Sequence, residues 1–184
     1  LGTANALTSR FRLIDDRLTE IQDATNQQIE STVGQINAYA EQIAKMNEQI
    51  EQIKAGRSDM RPNDLIDQRG NLIAELNKLV KVTVVPTKGD MVNVYIGKGQ
   101  SLVVDTSASK LSAGPSNDDP QRYDVYYDLA GNDVRILPDM LEGGALGGLL
   151  NFRDSALMTA RNGVGRIAMT MSETFNAQHR LGQD

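Results

Sequence analysis

The chain has 184 residues, 40% of them apolar, a formal net charge of −5 and no cluster of Lys and Arg, which argues against nucleic acid as a partner. It has no cysteine, so disulfides, thiolate catalysis and thiolate metal sites are excluded together. Aromatic residues make up only 4%, so the core must be built from Ile, Leu, Val and Ala, without the rings that usually line small-molecule pockets.

The first residues, Leu1-Gly2-Thr3-Ala4-Asn5, show neither an initiator Met nor the charged and apolar regions of a signal peptide, and the chain reads as a piece of a longer protein. No apolar run approaches the roughly 18 residues of a membrane-spanning helix. From Ala4 to Lys54 there is no Pro, and the only Gly is Gly34. Apolar residues recur at Leu7, Phe11, Ile14, Leu18, Ile21, Ile29, Val33, Ile36, Ala40, Ile43 and Ile50, with Thr25 and Asn47 filling the gaps. The mean step is about 3.6 residues, the period of a straight α-helix, which predicts a rod roughly 75 Å long. The stripe is narrow, like a coiled-coil seam, and its spacing slips between Ile21 and Val33. Thr25 and Asn47 are polar residues that either set register or are simply tolerated at half-exposed sites. Between Ala24 and Ala40 only Glu30 is charged, which suits either an ordinary polar face or one packed against neighbouring subunits.

Gly56 through Pro62 reads as a loop. Asn63 is a candidate cap for a second helix with the stripe Leu65, Ile66, Arg69, Leu72, Ile73, Leu76, Leu79 and Val80, interrupted by Gly70. A short connection predicts an antiparallel helix pair. The period then becomes two. Strands are predicted at Val82–Val85, Val92–Ile96, Leu102–Val104, Arg122–Leu129 and Val134–Leu137, with turns at Lys88-Gly89-Asp90, Gly97-Lys98-Gly99 and Ala130-Gly131-Asn132-Asp133, and a loop over Thr106–Pro120. Helix returns after Pro138 and runs to about Arg180, with Gly163 and Gly165 as possible breaks. The fold class is therefore α+β: a long-helix antiparallel bundle formed by residues 1–81 and 138–184, with a small antiparallel β domain inserted at 82–137.

No constellation of catalytic residues converges. His179 is the only histidine and reads as a helix-end residue. The pair Asp15-Asp16 diverges by about 100° on a helix, and Asp118-Asp119 lacks calcium-loop spacing. Gly97-x-Gly99 is not a dinucleotide fingerprint. The glycines from Gly143 to Gly148 lack the Lys-Ser/Thr of a phosphate loop and read as a flexible joint before the last helix.

Three ordered stretches resemble the FlgK family of flagellar hook-associated proteins: Asn63-Asp64-Leu65-Ile66-Asp67-Gln68-Arg69 continuing to Val80, Leu146-Gly147-Gly148-Leu149-Leu150-Asn151-Phe152-Arg153-Asp154, and Asn176-Ala177-Gln178-His179. The long first helix with Val33-Gly34-Gln35-Ile36-Asn37 is similar in order and spacing, so the resemblance covers essentially the whole chain. Gly70 departs from the polar or acidic residue usual there. The resemblance implies a non-enzymatic structural subunit without cofactors, exported by the flagellar type III apparatus and assembled outside the cell. It implies a self-associating ring between the hook protein and the second hook–filament junction protein, and an export chaperone that binds a terminal region outside this chain. It also implies a helical axial core and an outward-facing β domain. The expected state of this piece is a monomer. Asp67, Arg69, Arg153 and Asp154 fall in the two strongest motifs, and some of them are expected to pair across the bundle and lock its register; the alternative is solvent-facing charge. The competing reading is a surface adhesin whose β unit binds a ligand at the end of a helical stalk.

Overall fold

The computed structural model describes residues 2–56, 62–129 and 131–182. Two compact units divide the chain: residues 26–150, and residues 1–25 together with 151–184. The first helix, α1, runs without a break from Gly2 to Gly56, 55 residues, as the uninterrupted 3.6 period predicts.

In the unit 26–150, every seam position of α1 is buried: Ile29, Val33, Ile36, Ala40, Ile43, Asn47 and Ile50. The second helix, α2, spans Asn63–Leu79. Asn63 is not its cap. Pro62 stands at the capping position with φ −77°, and its carbonyl accepts the amides of Leu65 and Ile66, each at 3.1 Å. The ring-locked φ of Pro62 starts the helix one residue earlier than the side-chain rule suggests. Gly70 is exposed, with open space where a Cβ would stand. Most of the predicted loop between the helices, residues 57–61, lies outside the described residues.

Among the described residues seven strands follow, rather than about five, and they form two antiparallel sheets. The first sheet has the order β1-β2-β3-β4, with β1 at Val82–Pro86, β2 at Val92–Ile96, β3 at Gln100–Val104 and β4 at Ser107–Ala108. The second has the order β5-β6-β7, with β5 at Leu111–Pro115, β6 at Tyr123–Leu129 and β7 at Asn132–Ile136. The predicted loop over Thr106–Pro120 thus hides two strands, β4 and β5. Their Ser, Ala and Gly residues carry no strand signal, and pairing with neighbours decides their conformation. One core joins these parts. It takes Ile36 and Ile43 from α1, Leu76 and Val80 from α2, Val94 and Leu102 from the first sheet and Val125 from the second. The β segment therefore shares its core with the middle of α1, and the compact unit extends well beyond residues 82–137.

Helix α3 occupies Gly144–Phe152. The glycines before and within it are tightly packed rather than a loose joint. Gly144 has φ +66°, and a Cβ there would stand 2.5 Å from the carbonyl carbon of Leu79. A Cβ on Gly147 would stand 2.7 Å from the Leu141 carbonyl oxygen. Among small residues, only glycine lets α3 approach the end of α2 so closely.

In the other unit, a π-helical turn at Arg153–Leu157 leads into α4, Met158–Arg180. Gly163 and Gly165 do not interrupt α4. The irregularity falls instead at the π turn, where one extra residue is accommodated in the helical ladder. Arg161 Nη2 of α4 donates to Thr19 Oγ1 of α1 at 3.0 Å. Packing is sparse here: Leu13, Ile167 and Phe175 are each more than half exposed.

Candidate functional site

The built site of the unit 26–150 is a ladder of three asparagines on α1: Asn26, Asn37 and Asn47. The intervals are 11 and 10 residues, close to three helical turns, so all three fall within about 80° of arc and rise about 15 Å apart. Each side-chain carboxamide presents an N–H donor and a C=O acceptor in one plane. Each uses both on the backbone of the β segment. Asn26 Nδ2 donates to the Gln121 carbonyl at 2.8 Å, and its Oδ1 accepts the Tyr123 amide at 3.1 Å. Asn37 Nδ2 donates to the Leu111 carbonyl at 2.8 Å, and its Oδ1 accepts the Leu111 amide at 2.9 Å. Asn47 Nδ2 donates to the Val92 carbonyl at 2.8 Å, and its Oδ1 accepts the Val92 amide at 3.3 Å.

The rod thus completes the hydrogen bonding of strand starts: β2 at Val92, β5 at Leu111 and β6 at Tyr123. Buried backbone groups at a strand terminus require partners, and a helix, whose own backbone is used internally, can offer only side chains. The ladder reads backbone, so it positions the strands without regard to their side chains.

Asn47 is the hub. It is fully buried, and its Nδ2 also donates to the Asp105 carbonyl at 2.5 Å. Its Oδ1 additionally accepts from Arg69 Nη1 of α2 at 2.8 Å. The same Nη1 donates to the Asp90 carbonyl at 2.8 Å. Lys54 of α1 pairs with the Asp90 carboxylate. Asp90 and Asp105 are the two non-glycine residues with left-handed backbone among the described residues, at φ 62° and 52°. Asp tolerates this region better than most residues, and here it turns each carbonyl toward the hub. Burial lowers the pKa of the Arg69 guanidinium, and the neighbouring Asp90 carboxylate acts in the opposite direction. Arginine stays charged at neutral pH, so the hub holds a buried cation that donates to the Asn47 carboxamide and the Asp90 carbonyl, with the Asp90 carboxylate nearby.

The four residues expected to lock register are distributed as follows. Arg69 is buried in the hub, joining α2 to α1 through Asn47. Asp67, two residues earlier on α2, is exposed. Arg153 is buried and forms a two-point pair with its own neighbour Asp154, Nε to Oδ1 at 2.7 Å and Nη2 to Oδ2 at 2.8 Å. Of the two polar seam residues, Asn47 reaches across elements, whereas the Thr25 hydroxyl bonds back to the Ile21 carbonyl of its own helix at 2.7 Å. Asn26 and Asn37, each one position beyond a seam residue, carry no apolar-stripe signal in the sequence. Their spacing of three turns along the rod is the signal that would have found them.

Among the described residues there is no group of side chains able to hold a metal ion. A cleft of about 320 Å³ opens between β3 and the β6–β7 hairpin, lined by Ser101, Tyr127, Leu129, Val134 and Met140 among others. It brings no acid, base and nucleophile together.

A family model described as the flagellar hook-associated protein FlgK helical domain matches residues 1–184. Flagellar hook-associated protein 1 of Salmonella typhimurium is 40% identical across the whole chain, which covers 34% of that relative. The protein of the same name from Escherichia coli K12 is 38% identical over the same share. A solved structure, the flagellar hook junction protein FlgK from Burkholderia pseudomallei, superposes with a TM-score of 0.75 at 34% identity, covering 83% of this chain and 27% of that one. The chain spans about a third of the length of these curated relatives. A family match over every residue, together with this identity and the shared α+β architecture, shows that the chain belongs to the FlgK family of flagellar hook-associated proteins.

Proposed function

We propose that this chain is the helical-domain portion of a structural subunit joining hook to filament in the bacterial flagellum, and that it performs no catalysis. The carrying observation is the full-length match to the family, whose solved member is described as a hook junction protein. In this reading the parent protein is exported by the flagellar apparatus and works outside the cell. It contacts the hook protein on one side and the second junction protein on the other, forms a ring with copies of itself, and meets an export chaperone through a region outside this chain. The helices form the axial core, and the β segment 82–137 faces outward, held at its angle by the asparagine ladder. The register-locking role expected of Asp67, Arg69, Arg153 and Asp154 is carried by Arg69 through Asn47. No observation favours the adhesin reading.

The test is a segment exchange. Residues 1–184 replace the matching third of the Salmonella protein in a strain lacking its own copy. Filament growth and swimming are the expected result. Release of filament protein into the medium without filaments, despite normal expression of the chimera, would contradict the reading.

A further inference from the structure

We propose that the β segment is a two-stage latch, in which the second sheet, β5–β7, opens as a cooperative unit while the first sheet, β1–β4, stays seated on the helices.

The two sheets are held differently. The first is tied to both helices, to α1 by Asn47 and Lys54 and to α2 by Arg69. It buries Val92, Val94, Ile96, Leu102 and Val103. The second is clamped to α1 by Asn26 and Asn37, and its buried apolar side chains among the described residues are Leu111, Val125 and Ile136. Apolar burial is the large favourable contribution, whereas a neutral hydrogen bond exchanged for water changes stability little. The sheet with fewer buried apolar side chains, held to the helix by neutral hydrogen bonds, opens at lower free energy.

The apolar face of the β6–β7 hairpin also fades outward. The cross-strand pair Val125 and Ile136 is buried, in the next pair Tyr127 is half-buried and Val134 is 47% exposed, and Leu129 beyond them is 52% exposed. An open cleft lies beside this face, lined in part by Tyr127, whose hydroxyl donates to the Ser101 carbonyl of the first sheet.

The opening has defined limits. On one side the Ser109 amide donates to the Leu102 carbonyl at 2.8 Å, and on the other the Lys98 amide donates to the Met140 carbonyl at 3.0 Å. Each anchor has one end in the seated sheet or its turns, at Leu102 and at Lys98. Within the opening sheet, the buried Asp124 carboxylate pairs with Arg135 Nε at 2.7 Å, tying β6 to β7 so that they move together.

Amide hydrogen exchange followed by NMR on the intact chain tests the proposal. The amides of β6, the middle strand of its sheet, should form one group with protection at least tenfold below the amides of β2, a middle strand of the other sheet. Asn37→Ala, which orphans the Leu111 amide, should lower the β6 group by a further tenfold or so and leave β2 unchanged. Equal protection of β2 and β6 in the unsubstituted chain would overturn the latch, and so would an equal shift of both strands in the variant. Should Asn37→Ala not fold, the urea dependence of exchange in the unsubstituted chain decides. A smaller slope for β6 than for β2 supports the proposal, and a common slope overturns it.

Discussion

Asn47→Ala is expected to destabilise the chain by about 3–5 kcal/mol, read as a lowered denaturant midpoint. The substitution removes one small side chain but takes a partner from four groups: the Arg69 guanidinium, the Val92 amide, and the carbonyls of Val92 and Asp105. A buried neutral group left without a partner costs about 1–3 kcal/mol, and a buried charge that loses one costs about 3–5 kcal/mol. The terms do not simply add, because the Asp90 carbonyl still receives Arg69 and water fills part of the space. The loss remains a large share of the roughly 5–15 kcal/mol that holds a domain together. Asn47→Asp separates the contributions. It keeps the acceptor for Arg69 and Val92 and adds an ion pair, but sets a carboxylate oxygen against two carbonyls. It should recover part of the loss and not all of it. If both variants melt like the unsubstituted chain, Asn47 is not the hub.

Gly97→Ala is expected to be at least as damaging, about 3 kcal/mol or more, with loss of a single cooperative unfolding transition. Gly97 has φ +56°, and a Cβ there would stand 1.8 Å from the Met140 carbonyl oxygen and 2.9 Å from its carbon. Neither partner can move freely. The Gly97 amide donates to the Lys81 carbonyl and the Lys98 amide to the Met140 carbonyl, each at 3.0 Å. Backbone strain alone does not account for the predicted effect, and Gly89→Ala isolates that part. Gly89 has φ +74°, with nothing within 4 Å of the added Cβ, so its variant should lose only about 1–2 kcal/mol. Similar losses at the two positions would show that the close approach of the two turns is not real.

The rod was legible in the sequence because its signal is local and repeated. A 3.6-residue period held from Leu7 to Ile50 leaves little alternative to one helix, and its seam is buried from Thr25 onward. Strands with Val and Ile in alternation were also legible. Strand β5 was not, since Leu111-Ser112-Ala113-Gly114-Pro115 has no β-branched or aromatic residue to mark it. Its conformation comes from pairing with β6 and from the Asn37 clamp on Leu111. The ladder itself was half visible. Asn47 stood out as a polar residue in an apolar seam, but Asn26 and Asn37 flank the seam and look like ordinary surface residues. Their partners lie 97 and 74 residues away, and a side chain that bonds to backbone leaves no complementary residue type to search for. The glycines near α3 were misread for a related reason: glycine marks both loose joints and close packing, and only the neighbouring backbone of Leu79 tells them apart.

The claim that α1 holds the β segment through its asparagines is tested most directly by hydrogen exchange of their side-chain carboxamides. In the folded chain at neutral pH, the Nδ2 protons of Asn26, Asn37 and Asn47 should exchange far more slowly than those of the exposed Asn71 and Asn162, and slowest at Asn47, which is fully buried with two carbonyl acceptors. Exchange at all three positions as fast as at Asn71 would contradict the ladder.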